Sequence, residues 1–174
     1  MLRHLLILVL AAPLAALPGC GYHALGAATH LPSDMRTLAV PEFATRTESY
    51  HTETVMTDAV IREFATRTRF RVTPVDHGDA DAVLHGTILA QSVAPLTYNS
   101  STQQSSSFLI TVVVSVTLTG RDGKIFYQNK NYVYRQQYQS TADLPVFFEE
   151  NPAAVQRLSR EFARALVADV LEGL

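Results

Sequence analysis

The clearest pattern along the chain is a strict alternation of apolar and polar positions between residues 108 and 119. The apolar side chains occupy every second position: Phe108, Ile110, Val112, Val114, Val116 and Leu118. Threonine and serine fill most of the positions between them. Because successive side chains of a strand point to opposite faces, this segment is predicted to be a long strand with one buried face.

A hairpin turn follows this strand at Gly120-Arg121-Asp122-Gly123. The Asp-Gly pair supplies residues that tolerate the positive φ angles of tight turns. The return strand is predicted to run from Lys124 to about Tyr138. Its aromatic positions change parity between Tyr127 and Tyr132. A β-bulge near residues 128–131 would bring both parts onto one face.

Two segments have apolar residues at helical spacing. The first, residues 53–68, has a stripe made of Val55, Met56, Ala59, Val60 and Phe64. The second has a stripe that ends near Gly173 and is made of Val155, Leu158, Phe162, Ala165, Leu166 and Val170. Both stripes follow the 3.6-residue period of a helix. Pro152 is expected either to kink a helix that begins at residues 147–150 or to restart it.

Shorter strands are expected at residues 37–43, 70–75 and 81–90. Pro41 has no N–H to donate, so it favours a sheet edge or a strand end. Residues 95–107, rich in Ser, Thr and Gln, are expected to form an exposed loop or a flexible strand extension. The element order predicts an α+β fold, with two helices packed on one face of a small, mostly antiparallel or mixed sheet of four to five strands.

The N-terminus has the composition of an export signal. Arg3 and His4 precede an apolar run at residues 5–17, which is interrupted by Pro13. Thirteen residues span about 20 Å as a helix, less than the ~30 Å hydrocarbon core of a bilayer. Residues 1–19 are therefore predicted to be a signal peptide and not a membrane anchor.

Cys20 is the only cysteine of the chain, and it follows this segment directly in the sequence Leu17-Pro18-Gly19-Cys20. The sequence resembles a bacterial lipobox, in which cleavage falls just before a cysteine that becomes acylated. The alternative is a secretory signal followed by a chance cysteine. Cys20 is thus the predicted lipid attachment site, residues 20–36 a lipidated tether, and residues 37–174 a single domain. In lipoproteins of this type, an Asp after the cysteine often marks retention in the inner membrane, so Gly21 favours the outer membrane.

Composition and motifs give no sign of catalysis. Fourteen Lys and Arg against sixteen Asp and Glu leave a formal charge of −2, which argues against a nucleic-acid binder. One cysteine and five scattered histidines after the signal show no metal-ligand spacing, so no metal and no cofactor beyond the covalent lipid is expected. Glu149 and Glu150 are adjacent and would diverge on a helix, so they do not form a paired acid and base.

The order of several short motifs resembles one known family. They are Cys20-Gly21-Tyr22-His23, Leu31-Pro32, the segment at residues 37–43, Ile61-Arg62-Glu63-Phe64, residues 80–84, Gly86-Thr87-Ile88, Phe148-Glu149-Glu150 and Arg157-Leu158. Together they resemble the lipopolysaccharide-assembly lipoprotein family, LptE, over essentially the whole chain. The fold of that family, two helices on a small sheet, agrees with the pattern above.

The resemblance implies a non-enzymatic protein anchored at the periplasmic face of the outer membrane. It implies two partners: an LptD-type β-barrel, whose lumen the protein plugs, and lipopolysaccharide, which it contacts during delivery to the cell surface. The alternative is a generic periplasm-facing lipoprotein, an adaptor for another envelope machine or a cell-wall enzyme.

The predicted hairpin carries two sets of candidate contact residues. Lipopolysaccharide presents phosphates, so four cations are candidates to bind it: Arg121, Lys124, Lys130 and Arg135. The alternative is that they are solvated guards of an edge strand. Four tyrosines are candidates for a partner interface, and the alternative is packing between strands: Tyr127, Tyr132, Tyr134 and Tyr138.

Overall fold

The computed structural model describes residues 30–47, 52–98, 105–139 and 152–173. The predicted signal peptide, Cys20, most of the tether and the predicted helix start at residues 147–150 lie outside these ranges. Within them the chain forms six strands and two helices. They are β1 (Thr37–Ala39), β2 (Ala44–Thr45), α1 (Thr52–Arg67), β3 (Arg71–Thr73), β4 (Ala82–Tyr98), β5 (Ser105–Gly120), β6 (Ile125–Gln139) and α2 (Pro152–Glu172).

The strands form one mixed sheet in the order β3-β1-β4-β5-β6, and β2 pairs with β4 beside this path. β1 is parallel to both β3 and β4, whereas β4, β5 and β6 are joined by antiparallel pairing. The α+β prediction is confirmed, with one strand more than expected. The strand predicted at residues 37–43 is shorter than expected, because β1 ends at Ala39, before Pro41. The extra strand is β2, which begins at Ala44, just beyond that segment.

Both helices bury the stripes that the sequence predicts. α1 places Met56, Val60 and Phe64 in the core, and α2 places Phe162 and Leu166 there. The helix α2 begins at Pro152. Proline suits the first helical position, where no hydrogen bond to its missing N–H is needed. The predicted helix start at residues 147–150 lies outside the described ranges, so whether Pro152 kinks or restarts a helix stays a prediction.

The core lies between the helices and one face of the long strands. Phe43, Phe64 and Phe162 are its largest fully buried side chains. Phe43 packs directly over Gly86, where a Cβ atom would come within 2.6 Å of the ring. Gly86 is therefore required by close packing of an aromatic ring on the sheet and not by a special backbone angle.

Bulges in the long strands set which side chains face the helices. In β6 the predicted bulge is confirmed: Val114 pairs with Tyr132 and Val116 with Asn129, so two residues of β6 lie opposite Ser115. A second bulge in β4 was not predicted. It lies at Leu89, because Ile88 and Ala90 pair with adjacent residues of β5.

The prediction that β4 ends at Ala90 is wrong, since the strand continues to Tyr98. The polar segment at residues 95–107 is in part a strand extension, because pairing of β4 with β5 reaches Tyr98 and Ser105. Residues 99–104 lie outside the described ranges. The apolar alternation did not predict this extension of β4, because the bulge at Leu89 changes which positions point to the buried face.

Candidate functional site

The helices leave one broad face of the sheet uncovered. On β5 this open face carries Thr111, Val113, Ser115, Thr117 and Thr119, all half-buried by their neighbours. Cross-strand partners lie on the same face, which adds these residues of β4 and β6: Val83, His85, Thr87, Ala90, Ser92, Ile125, Gln128, Val133 and Arg135. Leu109 and its partners Ala94 and Gln137 continue this face toward the far end of the strands. We call these seventeen residues the open face. Its side chains are mostly hydroxyl, amide and apolar groups, with few charges.

The long strands contain no acidic residue. Neither Asp nor Glu occurs among the 17 residues of β4, the 16 of β5 and the 15 of β6. The ionisable cations of these strands are Lys130 and Arg135, and His85 is a further potential one. Since the acidic residues that the structure describes lie in the helices and loops, the open face combines polar hydrogen-bonding groups with a weakly positive charge.

The four candidate cations do not form one cluster. Arg121 is engaged at the turn, where its side chain donates to the backbone oxygens of Asp79 and Ala80 and contacts the Asp81 carboxylate at 3.2 Å. The Lys124 ammonium lies 5.8 Å from the centre of the Phe126 ring. Both groups therefore have intramolecular contacts at the turn.

Lys130 and Arg135 lie farther along β6. Lys130 is an exposed residue of the bulge, and Arg135 pairs with Thr111 on the open face. At about 3.4 Å per strand residue, roughly 30 Å separates Lys124 from Arg135. Of the four candidates, these two are the cations whose charged groups have no described side-chain partner.

The four tyrosines face the helices and not the open face. Tyr127 and Tyr132 are buried, at 6% and 9% exposure, and Tyr134 and Tyr138 are partly buried against the core. The rings of Tyr132 and Tyr134 pack edge to face on Phe162, with centroids 5.8 and 5.9 Å away. This arrangement favours the packing interpretation over a partner interface, most strongly for Tyr127 and Tyr132.

Burial also affects the tyrosine hydroxyls. It raises the pKa of Tyr127, Tyr132 and Tyr134 above the ordinary value of 10, because the ionised phenolate would lose hydration. The Tyr132 hydroxyl also hydrogen-bonds Asp169 of α2, which raises its pKa further. These hydroxyls are neutral at physiological pH, and the Tyr132 hydroxyl helps to attach α2 to β6.

Asp81 is a polar anchor whose role the sequence pattern did not reveal. Its carboxylate accepts hydrogen bonds of 2.9 Å from the backbone N–H groups of Arg36 and Thr37 and from the Thr37 hydroxyl. With the Arg121 contact, it joins the starts of β1 and β4 to the β5–β6 turn. The N–H donors of Arg36 and Thr37 lower the pKa of Asp81 below its ordinary value of 3.8. The one signal in the sequence was its position directly before the first alternating residue, Ala82.

We predict that Asp81→Asn lowers the melting temperature at neutral pH, because an amide replaces a charged acceptor. A carboxylate whose pKa is depressed on folding contributes stability above its unfolded pKa, and this contribution is lost as the pH falls through the folded pKa. The difference in melting temperature between wild type and Asp81→Asn should thus be largest above pH 5 and shrink below 3.8. Thermal melts between pH 7 and 3 measure it. Asp79→Asn, which changes an exposed carboxylate of the same segment, is the control; an equal effect of both changes would contradict the anchor role.

The described residues hold no other obvious chemical centre. None of their helices is both long and apolar enough to cross a membrane. Within the same ranges, no three His, Cys, Asp or Glu side chains come together in a way that could hold a metal ion. Among the described residues, the open face and the exposed cations are therefore the candidate binding surfaces.

Comparison with known proteins identifies the family. The model of the family described as "LptE: Lipopolysaccharide-assembly" matches residues 35–170, which includes every described strand and most of α2. The chain belongs to the LptE family. A search of curated proteins gave no significant match. At the family level, LptE proteins are non-enzymatic components of lipopolysaccharide assembly, which agrees with the absence of catalytic motifs from the sequence.

Solved structures are similar to this LptE-family chain at low sequence identity. A dodecameric PelC variant from Paraburkholderia phytofirmans is 10% identical and has a TM-score of 0.50, with 78% of this chain and 89% of that chain covered. Protein XCC0632 from Xanthomonas campestris is 13% identical, also with a TM-score of 0.50, with 79% and 84% covered. Lipoprotein B from Nitrosomonas europaea is 13% identical, with a TM-score of 0.47 and 88% and 96% covered.

Proposed function

We propose that this protein is an outer-membrane lipoprotein that plugs an LptD-type β-barrel and assists the delivery of lipopolysaccharide to the cell surface. The observation that carries the proposal is the LptE family match over residues 35–170. Acylated Cys20 would hold the protein at the periplasmic face of the membrane. The remaining alternative is an adaptor for another envelope machine. In that case a different partner would co-purify with the protein.

We assign the open face to the contact with the barrel. The lumen of a transmembrane barrel is polar and wet, so a plug needs a surface that can hydrogen-bond without burying many charges. The hydroxyl and amide groups of the open face, from Thr87 across to Gln128 and Gln137, have this character. Since no carboxylate interrupts the long strands, an anionic barrel wall or a phosphate would not be repelled there.

Lys130 and Arg135 are the proposed contacts with lipopolysaccharide. A guanidinium forms paired, charge-assisted hydrogen bonds with phosphate, and an ammonium attracts it as a point charge. Arg135 projects from the open face and Lys130 from the adjacent bulge. Arg121 and Lys124 would contribute less, because their contacts at the turn would have to be released first.

The barrel contact is tested by placing a carboxylate on the open face. Ser115 lies in the middle of β5, next to Thr87, and Ser115→Glu should reduce recovery of the barrel with the tagged protein about tenfold, a loss of about 1.4 kcal/mol. The barrel is identified by mass spectrometry after detergent extraction. Ala65→Glu makes a similar change on the exposed side of α1 and should leave recovery unchanged.

Circular dichroism of both variants shows whether each one folds. Equal recovery of the barrel with folded Ser115→Glu would contradict the assignment of the open face. Recovery of cell-wall enzymes and of no barrel with the wild-type protein would favour the adaptor instead.

A further inference from the structure

A groove lies between the two helices, on the side of the helix layer that faces away from the sheet. Its volume is about 310 Å³. Its walls are Val55, Asp58 and Arg62 of α1 and Gln156 and Arg160 of α2. It is far from the open face, because the sheet and the core lie between them.

The helices run parallel along this groove. Arg67 of α1 donates to the backbone oxygen of Arg164 of α2, and Arg62 and Arg160 line the groove one turn earlier on each helix. The groove thus lies toward the N-terminal halves of both helices. Peptide dipoles give that end of each helix a partial positive charge, although the effect is weak beyond the first turn.

The two arginines of the groove have no ion-pair partner among the described residues. Within the same ranges, two other helix arginines are paired, Arg67 with Glu63 and Arg164 with Glu161, whereas Arg157, which lies outside the groove, is also unpaired. No such pair includes Arg62 or Arg160. Asp58 shares the groove, yet no ion pair joins it to either arginine, so the formal charge of the lining is +1.

We infer that this groove binds a phosphate group, with Arg62 and Arg160 as its two ligands. Two planar guanidiniums on separate helices can each present paired N–H donors to one tetrahedral anion. The Gln156 amide supplies a further donor, and Val55 an apolar wall suited to an amphiphile. The inference rests on the proposed function for its source, the phosphate of lipopolysaccharide, and adds a second contact site on the face opposite Arg135.

The test measures binding of the purified full-length mature protein, in detergent, to three probes. These are lipopolysaccharide, short-chain phosphatidic acid and inorganic phosphate, and calorimetry gives each affinity. The double variant Arg62→Gln and Arg160→Gln should weaken binding of lipopolysaccharide about tenfold. Asp58→Asn should strengthen it, since it removes the one negative charge of the groove.

The matched control is Arg157→Gln, which removes an exposed arginine of the same helix that does not line the groove. It should change affinity less than twofold. Removal of the phosphates from lipopolysaccharide should abolish the difference between wild type and the double variant. An equal loss in Arg157→Gln and the double variant, or no change in the latter, would overturn the inference.

The outcomes also separate this inference from the proposed function. Groove-dependent binding of phosphatidic acid without binding of lipopolysaccharide would support a phosphate site and contradict its proposed source. Binding of lipopolysaccharide that is lost with Lys130→Gln and Arg135→Gln, but not with the groove variants, would support the proposed function and overturn the groove. Tight binding of inorganic phosphate alone would place the site outside lipid recognition and contradict the lipid source.

Discussion

Replacing Phe162 with alanine is expected to lower the free energy of unfolding by about 3–5 kcal/mol. Phe162 is fully buried at the centre of α2, and the rings of Tyr132 and Tyr134 pack edge to face against it. The change removes these contacts and leaves a cavity between helix and sheet. Because a domain of this size has a stability of about 5–15 kcal/mol, the loss is large. Urea denaturation of the purified protein, followed by circular dichroism, measures it.

Arg157→Ala is the control for Phe162→Ala, since it truncates an exposed side chain of the same helix. It should change stability by less than about 0.5 kcal/mol. A loss below about 1 kcal/mol for Phe162→Ala would contradict the packing of α2 on β6 that the two tyrosines define.

Replacing Cys20 with serine is expected to release the protein from the envelope almost completely. A serine hydroxyl cannot form the thioether of a bacterial lipoprotein, so no acyl chains are attached. Each buried CH2 contributes ~0.8 kcal/mol to membrane binding, and stable anchoring needs two signals, such as a second chain. Fractionation of cells that express wild type or Cys20→Ser measures the change, and mass spectrometry of the N-terminal peptide identifies the lipid.

Gly21→Ala is a suitable control for Cys20→Ser, because it alters the neighbouring residue and leaves the thiol in place. Its product should remain with the membrane fraction. An unmodified Cys20 thiol in wild type, or membrane retention of Cys20→Ser, would contradict the proposed anchor.

The point at which the tether joins the domain bears on how the anchor would be used. The His30 ring lies against Gly173 at the end of α2, close enough that a Cβ on Gly173 would meet it at 2.5 Å. Ten residues separate Cys20 from His30, a reach of at most about 35 Å. The lipid would therefore lie within about 35 Å of His30 and of the adjacent C-terminal end of α2.

Some of the candidate site followed from residue chemistry and some did not. The hairpin cations were visible as four charges close in sequence, but their spacing along β6 and the engagement of Arg121 with Asp81 depended on the folded turn. The bulge that brings the four tyrosines onto one face was predicted from their change of parity, but only the folded structure showed that this face packs against the helices. Nothing in the sequence indicated that Arg62 and Arg160 line the same groove, because 98 residues separate them and only helix packing brings them together.

The sequence by itself determined the elements whose pattern is local. The alternation at residues 108–119 specifies β5, and the stripe through Met56, Val60 and Phe64 specifies α1, since each pattern repeats with the period of its own element. The length of β4, the mixed order of the sheet and the identity of the open face were decided by the tertiary structure. A bulge such as the one at Leu89 reverses the faces of a strand through its pairing with a neighbour, and that pairing is a property of two segments together.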